Sequence, residues 1–301
     1  MKIKNNSPTV SVIIPVYNDA EGLSDTLSSL VIQDYENYEI IVADNGSSDD
    51  TLEIAKNFQE KYPDIVKIVI EDKIQSSYAA RNKGILSSNG ETIAFIDADM
   101  IVEKNWLSKV VKKIEEGEID YMGCNVEIFS EKEDIFSLYN KITEFHIEED
   151  IKELHFSPTC CLVVRRRVFE EVELFDSRLI SSGDLEFGNR VHNSEKYKME
   201  YASNITMKHP ARSSVKSLVK KMFRIGRGNK QLTLYFPKTF SYNFFVIRHL
   251  LPPKTSSFLK KISKTKNINN ISFLNKLSFF FIMWLLKIAT GMGYLYESIK
   301  K

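Results

Sequence analysis

The 301-residue chain is long enough to bury a substantial core, as one large domain or as one domain with an appendage. A formal net charge of +1 hides a split: residues 1–200 hold 39 Asp and Glu against 22 Lys and Arg, whereas residues 201–296 hold 17 Lys and Arg and no acid. Such asymmetry points the last third at a polyanion or a membrane surface, and three cysteines, Cys124, Cys160 and Cys161, exclude a disulfide framework.

The adjacent Cys160 and Cys161 lack zinc-site spacing, so all three cysteines read as small buried residues of a reducing compartment. Residues 1–6 have no apolar stretch behind their charges, which is not the pattern of a secretory signal. The first 200 residues are therefore expected to face the cytosol.

In chain order, residues 10–16 form an apolar β-branched strand, followed by a loop with Tyr17 and Asn18. A helix of about 20–33 places Leu23, Leu27, Leu30 and Val31 on one face. Residues 38–43 give a second strand, and 44–49 a loop whose Asp and Ser can cap the next helix, which carries Leu52, Ile54, Ala55 and Phe58. A third strand at 66–70, a third helix at 78–86 and a fourth strand at 92–96 complete the alternation. Strands alternating with such helices predict βαβ units, a parallel sheet and ligands beyond the carboxyl ends of the strands. Asn18, Asp44, Asp97 and Asp99 all follow predicted strand ends.

Asp97-Ala98-Asp99 is the most informative of these. It ends the apolar run Thr92-Ile93-Ala94-Phe95-Ile96, and a buried strand does not normally finish in two carboxylates without partners. Two acids at i and i+2 leave a strand on the same side. Such hard oxygen ligands suit Mg²⁺ or Mn²⁺, ions that need few protein ligands and share a substrate's phosphates.

Beyond Trp106 the pattern changes: a helix at about 103–116, a strand-like 119–129, a charged amphipathic helix at about 134–149, a strand at 159–164, short helices at 165–172 and 184–194, and a strand-like 199–207. Residues 213–230 form a basic amphipathic helix with Lys216, Lys220, Lys221, Arg224, Arg227 and Lys230. Residues 252–276 read as a linker. Residues 278–296 are apolar apart from Lys287, just long enough to span a bilayer. A lysine near the middle costs roughly 2.5–3.5 kcal/mol on insertion scales, which ranks an interfacial helix above a spanning anchor, and both above a packed core helix.

Four segments together resemble the family 2 glycosyltransferases: Val12-Ile13-Ile14-Pro15-Val16-Tyr17-Asn18, Val42-Ala43-Asp44-Asn45-Gly46-Ser47-Ser48-Asp49-Asp50-Thr51, Ala79-Ala80-Arg81-Asn82-Lys83-Gly84 and Phe95-Ile96-Asp97-Ala98-Asp99. The resemblance covers roughly residues 8–235. It implies a GT-A fold: α/β, with a mainly parallel central sheet flanked by helices. Here a basic helical extension follows, with a boundary expected near 235 and residues 236–301 as a membrane-associating tail.

The resemblance also implies roles. Pro15, Val16, Tyr17 and Asn18 line a nucleotide pocket. Asp44 hydrogen-bonds the base, and an acceptor-only carboxylate suits the ring N–H of uracil; a helix-capping or turn residue is the lesser alternative by its setting alone. Asn45 stands where relatives more often carry a second Asp. Arg81 lies near the diphosphate, its alternative being a surface arginine paired to an acid. Asp99, with Asp97, binds the divalent cation, Mn²⁺ or Mg²⁺, and His209 is a further candidate ligand.

In Ser181-Ser182-Gly183-Asp184-Leu185-Glu186, the resemblance makes Asp184 the base that deprotonates the acceptor, with inversion at the anomeric carbon. Glu186 is the second candidate, because relatives often have Glu-Asp where this chain has Gly183-Asp184. A helix-capping aspartate is the alternative. Trp106 could stack on a sugar or sit in the core.

The expected activity is transfer from a nucleotide sugar, UDP-linked, to a glycan or lipid-linked acceptor in surface-glycan assembly, at the cytosolic face of an anionic membrane. A non-catalytic nucleotide-sugar-binding scaffold and a nucleotidyltransferase are the rivals; the second lacks its Gly-rich phosphate loop near the first strand. No nucleic-acid-binding fold is evident, so nucleic acid is not an expected partner.

Overall fold

The computed structural model describes residues 9–130, 133–242, 245–255, 258 and 272–300. Its first part alternates as the sequence pattern predicts: β1 (Val10–Val16), α1 (Ala20–Leu30), β2 (Tyr38–Asp44), α2 (Thr51–Lys61), β3 (Val66–Ile70), α3 (Ser77–Ser87) and β4 (Thr92–Phe95). β1 pairs in parallel with β2 and with β4, and β2 in parallel with β3. Val10, Val12, Ile13, Ile14, Ile40, Ile41, Val42, Ile93, Ala94 and Phe95 are fully buried, the continuous apolar run that a strand covered on both faces requires. The Asp19 carboxylate caps α1 by accepting from the Gly22 amide at 3.1 Å, and the Ser76 hydroxyl caps α3.

The chain continues through β5 (Ile101–Val102), α4 (Trp106–Gly117), β6 (Tyr121–Phe129), α5 (Ile135–Thr143), α6 (Ile147–Glu149), β7 (Leu162–Arg165), α7 (Arg166–Val172), α8 (Gly183–Asn193) and β8 (Met199–Pro210). All eight strands form one sheet in the order β3-β2-β1-β4-β7-β6-β8-β5. From β4 onward the resolved pairings turn antiparallel: β4 with β7, β7 with β6, and β5 with β8. The result is an α/β sheet whose parallel half ends on the loops after β1, β2 and β4.

Two local expectations change, and one open alternative closes. The helix expected over 134–149 stops at Thr143, where Glu144 turns extended and Phe145 adopts a left-handed φ of 51° that an α-helix cannot include. Residues 159–161 form a 3₁₀ turn, and the strand begins only at Leu162. Trp106 starts α4 fully buried, which makes it a core residue and not a sugar platform. Most of the linker expected over 252–276 falls outside the described residues.

The chain divides into two compact units, one of residues 1–127, 146–178 and 183–209, the other of residues 128–145, 179–182 and 210–301. The second unit is helical. It groups α5 with α9 (Val215–Tyr235), α10 (Phe245–Leu250) and α11 (Phe273–Ile299), so the basic helix α9 belongs with the C-terminal helices. α9 and α11 approach closely because glycines meet backbone: a Cβ at Gly226 would collide with the Thr290 carbonyl, and one at Gly293 with the Phe223 carbonyl. Glu297 ties the pair by accepting from Arg227 at 2.7 Å and from Gln231 at 2.8 Å. Tyr139, Leu218, Phe279 and Leu286 form the buried centre of this unit.

Candidate active site

Every residue of the candidate site lies in the sheet-bearing unit. The register of β1 on β2 sets Val16 beside Asp44, and the Asn45 amide extends the pairing by donating to the Val16 carbonyl at 2.9 Å. Pro15 and Val16 close the end of β1, with Val16 buried and Tyr17 standing 52% exposed beyond it. Asn18 takes a left-handed φ of 51° and stitches this end to the β2 loop. Its amide donates to the Ser47 hydroxyl at 3.0 Å, and its side-chain oxygen accepts from the Ser48 amide at 2.7 Å.

Asp44 is 2% exposed. Its Oδ2 accepts from the amides of Gly46 and Ser47 at 3.0 and 3.1 Å, while Oδ1 is buried with no hydrogen-bond partner. A buried carboxylate oxygen left without a donor is costly, and it is a place where a ligand N–H would be welcome. Asn45 explains its own departure from Asp. Its amide nitrogen donates to the carbonyls of Glu71 at 2.8 Å and Ile74 at 2.9 Å, which a carboxylate could not do.

Helix α3 carries two side chains to the middle of the site. Arg81, only 4% exposed, is not a surface arginine; its Nη2 meets Asp97 Oδ1 at 2.6 Å, and its Nε is buried without an acceptor. Asp99 lies two residues further on, with His209 Nε2 at 3.9 Å from its Oδ1. The β5–β8 pairing makes this neighbourhood, since Ile101 sits opposite Lys208 and Val102 opposite Met207.

A carboxylate and an imidazole nitrogen facing each other at this spacing fit a divalent cation that takes few protein ligands and completes its shell with water and phosphate. Among the described residues no group of three or more His, Cys, Asp or Glu is gathered for a metal, so an all-protein cage is not what the site offers.

The second side chain from α3 is Tyr78, to which the sequence pattern assigns no role beyond the start of a helix. Its hydroxyl donates to Asp184 Oδ1 at 3.4 Å and accepts from the amides of Gly183 at 2.8 Å and Asp184 at 3.4 Å. A Cβ at Gly183 would strike the Tyr78 ring at 2.7 Å, so the glycine is what lets the tyrosine reach the start of α8. Asp184 occupies the first turn of α8, where the helix dipole favours a carboxylate. Burial nevertheless pushes its carboxyl above the ordinary range, against the lowering pull of the Leu185 amide and the Arg81 guanidinium.

Glu186, one turn-face away, is 2% exposed and engaged at both oxygens: Oε1 by Arg190 Nε at 2.7 Å and Oε2 by Arg190 Nη2 at 2.9 Å. The same guanidinium donates to the carbonyls of Val172 and Leu174, pinning α8 to the segment after α7.

A half-parallel sheet with acids at the ends of its parallel strands, a buried arginine beside them and a further acid at a helix start defines a GT-A glycosyltransferase. The model of the glycosyl transferase family 2 matches residues 11–173, and the chain belongs to that family. It is 34% identical over 294 residues to the glycosyltransferase AglE of Haloferax volcanii, covering 95% of each chain. It is 28% identical over 236 residues to a dolichyl N-acetyl-α-D-glucosaminyl phosphate 3-β-D-2,3-diacetamido-2,3-dideoxy-β-D-glucuronosyltransferase of Methanococcus voltae, covering 72% of this chain and 71% of that one. Among solved structures, the fold is similar to that of a mannosyltransferase from Pyrobaculum calidifontis in complex with GDP-Man and Mn²⁺, with a TM-score of 0.65 and 17% identity, covering 97% of this chain and 88% of that one.

Proposed function

We propose that the enzyme transfers a sugar, with inversion, from a UDP-sugar to a hydroxyl of a lipid-linked saccharide presented at the cytosolic membrane face. The observation that carries the donor assignment is the buried, unpartnered Oδ1 of Asp44 beside the Pro15–Asn18 turn. It accepts the ring N–H of the base, while the Gly46 and Ser47 amides hold the other oxygen still. Guanine also presents a ring N–H, and the Pyrobaculum neighbour binds GDP-Man, so a GDP-sugar is the discriminating alternative. The acceptor class is supported by the dolichyl-phosphate-linked substrate in the name of the Methanococcus relative.

Asp99 and His209 would hold Mn²⁺ or Mg²⁺, with Asp97 beside them. When bound, the ion neutralises the diphosphate and makes it a better leaving group. Arg81, held by Asp97, adds fixed positive charge to the same region. Asp184 accepts the proton of the acceptor hydroxyl. The new bond forms between that oxygen and the anomeric carbon as the bond to the diphosphate breaks, and the electron pair leaves with the diphosphate. A carboxyl whose pKa is raised by burial is a stronger base for this task. Glu186 is not assigned the role, because Arg190 occupies both its oxygens.

The test is a panel of UDP- and GDP-sugars with Mn²⁺, reading nucleoside diphosphate release with lipid-linked saccharide extract as acceptor. Turnover is expected with a UDP-sugar only, abolished by Asp99→Ala and by chelation, with the donor KM raised at least about ten-fold by Asp44→Ala. Turnover that survives Asp99→Ala and chelation would reject the metal-assisted reading, and turnover confined to GDP-sugars would reject the base assignment.

A further inference from the structure

Helix α11 is 27 residues long and, by length and composition, could cross a membrane. Its two sides differ. Leu277, Phe281, Leu285, Met292, Leu295 and Ile299 are all exposed. At 100° per residue they fall within about 80° of arc, a straight apolar stripe about 33 Å long. On the opposite side, Phe279, Leu286, Thr290 and Gly293 are buried within the helical unit, where the glycine meets the Phe223 carbonyl of α9, and Glu297 pairs with Arg227. Helix α10 packs beside it, with the Trp284 indole donating to the Leu250 carbonyl at 3.0 Å, and Ile247 and Leu250 on it and Leu251 just after it are exposed. A soluble surface rarely leaves so long an apolar stripe uncovered.

We infer that α11 lies in the plane of one anionic leaflet, its stripe sunk into the acyl boundary, and does not span the bilayer; this deepens the membrane-facing reading above and rests on it. The partner of α11 decides the matter. Crossing would carry Lys287 into hydrocarbon and would either strip α9 from its glycine contacts or drag α9 along. α9 bears Lys216, Lys220, Lys221, Arg224, Arg227 and Lys230, too many cations for the bilayer interior. In-plane insertion leaves every contact between the two helices intact. Lys216, Lys220 and Arg224 are exposed and follow one another at four-residue spacing, and Arg248 and Lys254 are exposed on and just after α10. With no acid between 201 and 296, this charge complements anionic headgroups.

The full-length protein is sedimented with vesicles of phosphatidylcholine alone and of phosphatidylcholine with phosphatidylglycerol. Binding is expected to the anionic vesicles, weakened by salt, released by alkaline carbonate, and reduced at least ten-fold by the double change Leu285→Asp, Met292→Asp. Asn275→Cys and Ser298→Cys, near the two ends of α11, are each expected to react with an impermeant maleimide added outside the vesicles, above a wild-type control whose three cysteines are buried. Protection of one end alone overturns the in-plane assignment in favour of a span. Absence of vesicle binding, with concentration-dependent dimers that the double change abolishes, overturns it in favour of a second copy covering the stripe. Thermal stabilisation by UDP, measured on the same variants, reports the nucleotide site separately, so loss of one reading does not mask loss of the other.

Discussion

Tyr78 touches the Asp184 carboxylate and two amides of the α8 start through a single hydroxyl, and burial pushes its own phenol well above the usual range, so it stays a donor at any working pH. A donor on the ionised carboxylate favours the ionised form. Tyr78→Phe should therefore raise the pKa of Asp184 further and shift the acid limb of kcat to higher pH while lowering its plateau; a plateau that falls with no movement of the limb would mean that the tyrosine only supports the fold. Asp184 itself has a folded pKa above its unfolded one, so its contribution to stability is fully present below the unfolded value of 3.8 and is lost as pH rises through the folded value. Asp184→Asn should accordingly melt higher than wild type at neutral pH, with the gap closing in acid, while kcat falls by about 10² or more. Equal melting temperatures at both pH values would remove the claim that burial strains this carboxylate.

Helix α8 separates two acids two residues apart into different surroundings. Glu186 is sealed against Arg190, whose guanidinium also gathers carbonyls from the segment after α7. Arg190→Ala should cost about 3–5 kcal/mol in urea unfolding, because a buried carboxylate loses its counter-charge. Glu186→Gln should keep kcat within about three-fold at a permissive temperature, where Asp184→Asn does not; a Glu186→Gln loss as large as that of Asp184→Asn would exchange the two roles. Both acids suit the first turn of a helix, and the one signal in the sequence that separates them is Arg190 at i+4 from Glu186, where Asp184 has Gly188; that the guanidinium takes both oxygens of Glu186 is visible only in the structure. The βαβ half was legible because buried parallel strands read as continuous apolar runs and the helices between them keep a 3.6 period. What followed was less so. β5 is two residues long and leaves no periodic trace, and the break after Thr143 depends on one left-handed residue, Phe145, whose side chain does not announce it. Tyr78 escaped because an aromatic residue inside a helical pattern fits the core equally well, and only its distance to Gly183 reveals its hydroxyl's work.

At the scale of the whole chain, the same composition that hid behind a net charge of +1 is divided between a sheet unit that holds the candidate site and a helical unit that carries the cations after residue 209 and an exposed apolar stripe. The acids missing from 201–296 are supplied to that unit by Glu144, paired with Lys221, and by Glu297, paired with Arg227. Its closest packing rests on glycines, so its stability is separately adjustable. The chain has two tryptophans, Trp106 in the sheet unit and Trp284 on α11, one reporter for each. Gly293→Val forces a side chain against the Phe223 carbonyl and should lower the thermal transition seen by Trp284, in a background where Trp106 is replaced by Phe, by several degrees or more, since overpacking at a helix contact costs about 1–3 kcal/mol. The transition seen by Trp106, with Trp284 replaced by Phe, should move far less, and stabilisation by UDP should persist. If both reporters fall together by the same amount, the two units unfold as a single cooperative body.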